Sequence, residues 1–363
     1  MQIIKLNPSD QKQCQAALEQ AAACLATGGL LIYPTETVYG IGADPSNSAA
    51  VDKLLRYKGR REGKPMSIAV SDQNMAEQYV EINEQALKFY QNFLPGPYTV
   101  VSRSKKMVDS RVDSEFGTLG IRIPAYSLIT DLAKKFGRAF TSTSANASGK
   151  KRPYTIADIL DNLSDKQKTL IDLIIDVGQL PANEPSVVVD TTLSAPLALR
   201  GSLAQAGGTT LTSSSENETI ELAGRLMLAN QSELKKNGLI FALNGQLGMG
   251  KTIFAKGVAK FLGITETISS PTYSYINEYP YTRLLSSGTF YHIDAWKIDS
   301  QEEVNFLRIA ELTKANNVIV IEWFEQIAPW LELPGNLKVV TLNFAQKENL
   351  RQITIHEKSH AAS

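Results

Sequence analysis

Apolar and polar positions change their period repeatedly along the chain. Short runs rich in Val, Ile, Leu and Phe alternate with longer stretches in which apolar residues recur every three or four positions. In the first part the pattern predicts a helix capped by Pro8-Ser9-Asp10 and running to about 27, then helices over 47–57, 84–93, 127–136 and 155–163. Strands are expected over 30–33, 66–70, 98–102, 117–124, 139–143, 173–177 and 187–190. Residues 207–215, rich in Gly, Ser and Thr, form the strongest linker signal. Beyond them come helices over 218–234 and 252–262 and strands over 238–244, 290–296 and 317–321. Two final strands, 337–344 and 350–356, alternate with period two. The expectation is an α/β chain of two domains, 1–206 and 217–363, joined by a linker over 207–216.

One stretch brings chemistry to this pattern. Gly245-Gln246-Leu247-Gly248-Met249-Gly250-Lys251-Thr252 fits G-x-x-x-x-G-K-[ST], a phosphate-binding loop. A nearly all-apolar strand precedes it, and an amphipathic helix follows with Ile253, Val258, Phe261 and Leu262 near one face. The three glycines let backbone N–H groups wrap a polyphosphate. The helix N-terminus adds partial positive charge. Lys251 supplies a point charge, and the Thr252 hydroxyl can ligate Mg²⁺. Acids at strand ends of such a domain can hold the ion or its water, which makes Asp294 and Glu322 candidates. His292 reads as a structural strand residue, and 269–273 as a polar loop near the nucleotide.

Composition narrows the rest. With 363 residues the chain is too long for one ordinary core. Lys+Arg and Asp+Glu both total 37, so no global field favours nucleic acid. Cys14 and Cys24 fall in one predicted helix, which suits unpaired thiols in a reducing compartment. Nothing resembles a leader peptide or an apolar span, so a soluble cytoplasmic protein is expected.

The first domain has no comparable loop, only scattered polar clusters. Pro34-Thr35-Glu36-Thr37-Val38-Tyr39-Gly40 follows a strand, where ligands of α/β sheets usually sit. Lys58-Gly59-Arg60-Arg61-Glu62-Gly63-Lys64 is basic and reads either as a solvated loop or as a polyphosphate clamp, with Lys58 and Arg60 pointing the same way. Thr118, Gly120 and Arg122 share one strand face, and Arg122 needs an anion or a structural carboxylate partner. Ser144-Ala145-Asn146-Ala147-Ser148-Gly149 taken alone is a turn.

Together these blocks carry a resemblance. P-T-E-T-V-Y-G at 34–40, K-x-R at 58–60, P-G-P-x-T at 95–99, G-I-R-I-P at 120–124, S-A-N-x-S-G at 144–149, S-V-V-V-D at 186–190 and Leu199-Arg200-Gly201 resemble the YrdC-like threonylcarbamoyl-AMP synthases, TsaC in bacteria. The phosphate loop, S-P-T-Y at 270–273, H-x-D at 292–294 and E-W at 322–323 are similar to TsaE. The resemblance implies a fusion of a twisted open mixed sheet with helices and a P-loop NTPase-like α/β domain. It implies a synthase that makes threonylcarbamoyl-adenylate from L-threonine, bicarbonate and ATP and releases pyrophosphate. It further implies an ATPase that supports TsaB and TsaD as they move the threonylcarbamoyl group to the tRNA adenosine beside the anticodon. Thr35, Arg122 and Ser186 would then bind threonine, and Lys58, Arg60, Thr118, Ser142, Ser144, Asn146 and Arg200 would bind ATP. In the second domain, Gly245, Gln246, Leu247, Gly248, Met249, Gly250, Lys251 and Thr252 would hold ATP, with Glu216 at the adenine side. Thr252 and Glu322 would hold Mg²⁺, and Asp294 would position water.

Gln246 stands where the TsaE pattern carries Asp, and Arg61 and Lys64 add positive charge beside K-x-R. Two other readings compete. One is an ATP-driven regulatory module whose first half only binds RNA; Arg122, Ser144-Ala145-Asn146 and Ser186 argue against it, since RNA needs no threonine site. The other is a small-molecule kinase, which would need an acceptor lid that the pattern after 217 does not offer.

Overall fold

The computed structural model describes residues 1–59, 65–147, 150–201, 208–271, 274–283 and 286–359. It forms two compact units, Met1–Thr192 with Arg200–Ser202, and Leu193–Leu199 with Leu203–Ser363.

The strands of the first unit are β1 (Gln2–Lys5), β2 (Leu31–Tyr33), β3 (Gly40–Gly42), β4 (Ser67–Ala69), β5 (Val80–Glu81), β6 (Tyr98–Ser104), β7 (Thr118–Arg122), β8 (Phe140–Ser144), β9 (Leu173–Asp176) and β10 (Val187–Asp190). With β11 (Leu197–Arg200) they make an 11-stranded sheet in the order β1-β9-β2-β3-β8-β4-β7-β6-β10-β11, with β5 beside β6. The sheet is mixed: β4 runs parallel to β7 but antiparallel to β8. Helices Gln11–Ala26 and Ser127–Phe136 cover one face, where Leu18, Leu25, Ile129 and Leu132 pack with Tyr33, Phe140, Leu173 and Ile175. Asp10 starts the first helix by accepting the N–H groups of Lys12 and Gln13. That helix carries both cysteines as free thiols.

The strands of the second sheet are β12 (Thr209–Ser213), β13 (Leu239–Asn244), β14 (Ile276–Arg283), β15 (Ser286–Asp294), β16 (Val318–Glu322), β17 (Lys338–Lys347) and β18 (Leu350–Ser359). The order is β12-β18-β17-β13-β16-β15-β14. The four central strands are parallel, as expected of a buried phosphate-loop sheet, and antiparallel strands close both sides. Ile240, Ile293, Ile319 and Ile321 form a core on one face.

Besides short strands that the sequence pattern does not predict, such as β3 and β5, three features differ from it. Residues 209–213, read there as linker, are strand β12, and the Ser194 hydroxyl binds the backbone of Thr212 on both its N–H and its carbonyl. Thr and Ser alternate around Leu211, a pattern of a half-buried strand that its flexible composition hides. The long helix over 218–234 is interrupted: helix Glu216–Ala229 ends at Asn230, whose amide donates to the Leu226 carbonyl at 2.9 Å, and Gln231–Asn237 begins a new one. Strand β14 was missed because it contains Pro280, which is tolerated at the edge of the sheet. Among the described residues no helix is long and apolar enough to cross a membrane.

Candidate active sites

The turn after β2 is built by a hydroxyl. Thr35 Oγ1 accepts the N–H groups of Thr37 and Val38 at 3.2 Å each and donates to the Val38 carbonyl at 2.7 Å. Asn183 Nδ2 holds the Glu36 carbonyl at 2.8 Å. The fixed backbone sends Glu36 to the end of β7, where its Oε1 lies 2.6 Å from Nη2 of Arg122. Arg122 thus has the carboxylate partner that one sequence reading called for, yet among the described residues its Nε has no hydrogen-bond partner, nor has Glu36 Oε2, and both atoms are buried.

Register places the small polar residues in a row on the face shared by Thr118, Gly120 and Arg122. Ser67 stands opposite Gly120 on one side and Ser142 on the other. A side chain at position 120 would come within 2.9 Å of Ser67 Oγ and 3.0 Å of Thr99 Cγ2, so glycine keeps this stretch low. Thr99 continues the row to Ser186, 3.1 Å between hydroxyls. Arg200 grips Ser186 twice, from Nε to its carbonyl at 3.0 Å and from Nη2 to its hydroxyl at 2.8 Å. The Thr118 hydroxyl faces that of Ser114 at 2.7 Å. The Tyr33 phenol donates to the Thr141 carbonyl at 3.3 Å, and burial pushes it up to about 12.

Lys58 is not a solvated charge. It ends helix Ser48–Lys58, is 1% exposed, and donates at 2.6 Å to the carbonyls of both Ser144 and Asn146. Neighbouring Tyr57 donates to the carbonyl of Ala145. Ser144 Oγ in turn donates to Asn146 Oδ1 at 2.6 Å. The S-A-N turn is therefore shaped from below by one helix end, with a buried cation beneath it. Arg60, Arg61, Lys64, Ser148 and Gly149 lie outside the described residues.

The phosphate loop of the second unit has the expected backbone. Gly245, Gly248 and Gly250 have φ of 127°, 80° and 97°. Helix Lys251–Leu262 begins at once behind it. Lys251 donates to the carbonyls of Gly245 and Gln246 and stands 3.8 Å from the centre of the Trp323 ring. Burial holds its pKa below the usual lysine value, against the pull of Glu322, Glu325 and Asp294. Gln246, Leu247 and Gly248 are exposed at the crest, with Met249 half-buried below them. Glu216 is exposed at the first turn of its helix.

Behind the loop, Glu322 Oε1 accepts the Thr252 hydroxyl at 2.9 Å and lies 2.8 Å from His292 Nε2. Asp294, on the adjacent strand, accepts the Ser270 hydroxyl and the Trp296 N–H. One hydroxyl and one carboxylate, next to a loop for phosphates, suit Mg²⁺, which takes few protein ligands and keeps phosphate oxygens and water. His292 is fully buried and orients Glu322, in keeping with a structural role. Thr272 and Tyr273 are outside the described residues.

Sequence reasoning missed Glu36, Tyr57 and Ser270. Glu36 lay inside a quoted motif, but nothing in the spacing showed that it would meet a strand 86 positions away.

Known proteins bear on both units. The family model described as "Sua5_yciO_yrdC: Telomere recombination" matches residues 23–202, and that of "Threonylcarbamoyl adenosine biosynthesis protein TsaE" matches 213–353. A Methanocaldococcus jannaschii protein provisionally named threonylcarbamoyl-AMP synthase is 34% identical over 187 residues, which is 52% of this chain and 86% of that protein. A threonylcarbamoyl-AMP synthase of Pyrococcus abyssi is 32% identical over 181 residues, 50% of this chain and 52% of that protein, so the chain matches about half of that relative's length. The crystal structure of P. abyssi Sua5 complexed with L-threonine has a TM-score of 0.50 at 20% identity, covering 88% of this chain and 92% of that one, a likeness of fold.

Proposed function

The chain belongs to the Sua5/YciO/YrdC family of threonylcarbamoyl-AMP synthases and carries a TsaE domain behind it, and from this we propose a two-activity enzyme of tRNA modification. The first unit joins L-threonine, bicarbonate and ATP into threonylcarbamoyl-adenylate and releases pyrophosphate. The observation that carries this reading is Arg122, a buried guanidinium with a donor left over on a face otherwise lined by small polar residues. A guanidinium matches a carboxylate in two parallel bonds. Thr35, through the turn it holds, and Ser186 line the threonine side with it.

Lys58, Arg60, Thr118, Ser142, Ser144, Asn146 and Arg200 take the ATP side. The chemistry needs no protein nucleophile. The threonine amine attacks the bicarbonate carbon and a C–O bond of bicarbonate breaks to release water; an oxygen of the resulting carbamate then bonds to the α-phosphorus as the bond to pyrophosphate breaks. What the chain contributes is alignment of the reactants and positive charge where the leaving group gathers negative charge.

The second unit hydrolyses ATP in support of TsaB and TsaD, which move the group to tRNA; contact with tRNA is through that pair, in the cytoplasm. Residues 245–252 hold the phosphates, Thr252 and Glu322 hold Mg²⁺, and Asp294 positions water. The ion, when bound, neutralises charge on the phosphates. Thr252 and Glu322 are already within hydrogen-bond distance, so the site needs little rearrangement to take it.

The test is pyrophosphate release from ATP with and without threonine and bicarbonate. Release that needs both, is lost in Arg122→Ala and survives in Lys251→Ala supports the reading. Release indifferent to threonine, or lost only with Lys251, leaves a phosphate-loop ATPase joined to a binding module.

A further inference from the structure

We infer that Glu36 receives the ammonium group of the amino-acid substrate, so that Glu36 and Arg122 act as one receptor for an α-amino acid. The inference rests on the proposed threonine site in the first unit. It starts from the arithmetic of the ion pair. Arg122 Nη2 and Glu36 Oε1 satisfy each other at 2.6 Å, with the two side chains 9% and 16% exposed. Among the described residues, each of the two retains one buried atom without a hydrogen-bond partner, Nε of Arg122 and Oε2 of Glu36. A buried polar atom left unpaired is costly, and native structures keep few of them. Two on a single ion pair, one donor and one acceptor, are the complement of a carboxylate and an ammonium carried on the same carbon.

Other ligands fit less well. A phosphate could use the donor but would face the Glu36 carboxylate, and the pair as a whole carries no net charge. A plain carboxylate would leave Oε2 unpaired. A purely structural bridge would gain from a two-bond geometry that occupied Nε.

The acid is also held where it can discriminate. The Thr35 hydroxyl fixes the two N–H groups after Glu36, and Asn183 fixes its carbonyl. Little freedom remains for the side chain to lose when ligand arrives. Glu36 is thus a binding residue that selects for the amine the reaction requires.

Equilibrium binding to the full chain tests this with two probes, L-threonine and 3-hydroxybutyrate, which is the same skeleton without the amine. Wild type should prefer threonine. Glu36→Gln should weaken threonine by at least about tenfold, as expected for losing a hydrogen bond to a charged group, while 3-hydroxybutyrate binds as before or better. Glu36→Asp should recover part of the threonine affinity, and Arg122→Ala should lose both probes. Unchanged threonine affinity in Glu36→Gln, or equal weakening of both probes, overturns the inference and leaves the proposed function standing. If Glu36→Gln does not fold, wild type decides: equal affinity for the two probes overturns the inference. Wild type that binds neither probe refutes the proposed function itself, and the inference with it.

Discussion

Asp294 and Glu322 stand directly opposite each other on adjacent parallel strands, yet their carboxylates accept hydrogen bonds from different side chains. Glu322 takes the Thr252 hydroxyl and His292; Asp294 takes the Ser270 hydroxyl and the Trp296 N–H. The division predicts separable losses in ATP hydrolysis. Glu322→Gln should lower turnover by about 100-fold and raise the Mg²⁺ concentration needed for half-activity. Asp294→Asn should lower turnover by at least about tenfold with nucleotide affinity nearly intact. Steady-state hydrolysis against Mg²⁺, together with binding of a fluorescent nucleotide, checks both. The same Mg²⁺ shift in the two variants would argue against the division.

The phosphate loop should be equally intolerant of a single methyl group. At Gly245 an added Cβ would lie 2.3 Å from the carbonyl oxygen of Phe344, and φ is already +127°. Backbone on both sides cannot yield cheaply, so Gly245→Ala is expected to weaken ATP binding by the second unit at least about tenfold. Threonine-dependent pyrophosphate release should persist. Titration with labelled nucleotide, beside the release assay, gives both readouts on one sample.

Lys58 underlies the S-A-N turn. Lys58→Met keeps the length of the side chain and removes the donor shared by the carbonyls of Ser144 and Asn146. Hydrogen bonds to a charged group contribute roughly 1.5–3 kcal/mol each, so losing both is expected to cost about 3–6 kcal/mol of stability. If Lys58 serves the proposed ATP side, synthesis should fall further than stability accounts for, by about 100-fold, because a positive charge for the leaving phosphates is also lost. Chemical denaturation and pyrophosphate release measure the two effects.

The helix that ends in Lys58 is anchored at its start by Asp109. Its carboxylate accepts the Ser48 hydroxyl at 2.6 Å and two nitrogens of Arg111 at 2.9 Å. Arg111, first, then Ser48 hold the Asp109 pKa well below the usual carboxylate value, against some opposition from burial. A depressed carboxylate adds stability above its unfolded pKa, here 3.8, and that contribution is lost as pH falls through the lower folded value. Asp109→Asn should therefore be destabilising, by about 1–2 kcal/mol, throughout the neutral range. The gap from wild type should narrow only below about pH 4. Denaturant midpoints at pH 7, 5 and 3 test the sign.

How far the pattern could be read depended on whether the cause was local. Helices Glu84–Phe93 and Ser127–Phe136 matched their expected ends because periodicity and cap residues are written in adjacent positions. The phosphate loop was legible for the same reason. Strands β3 and β5, of three and two residues, were not, since so short a run has no period. Lys58 illustrates the limit in the site: a basic run reads as solvated surface until the S-A-N turn, some 86 positions away, is brought over it. Glu36 is the same case in reverse, a residue quoted in a motif and given no role because its partner comes from another strand.

Strand β12 has a consequence for dissecting the chain. It lies along the last strand, with Leu211 opposite Ile353, and so covers residues 351–355 of a ten-residue strand. A fragment of the second unit begun at residue 217, where the sequence pattern places the domain start, would expose that row of N–H and C=O groups. Uncovered edges of this length recruit strands from other molecules. Such a fragment is expected to aggregate with its ATP site intact, whereas one begun at residue 208 carries its own protection at the edge.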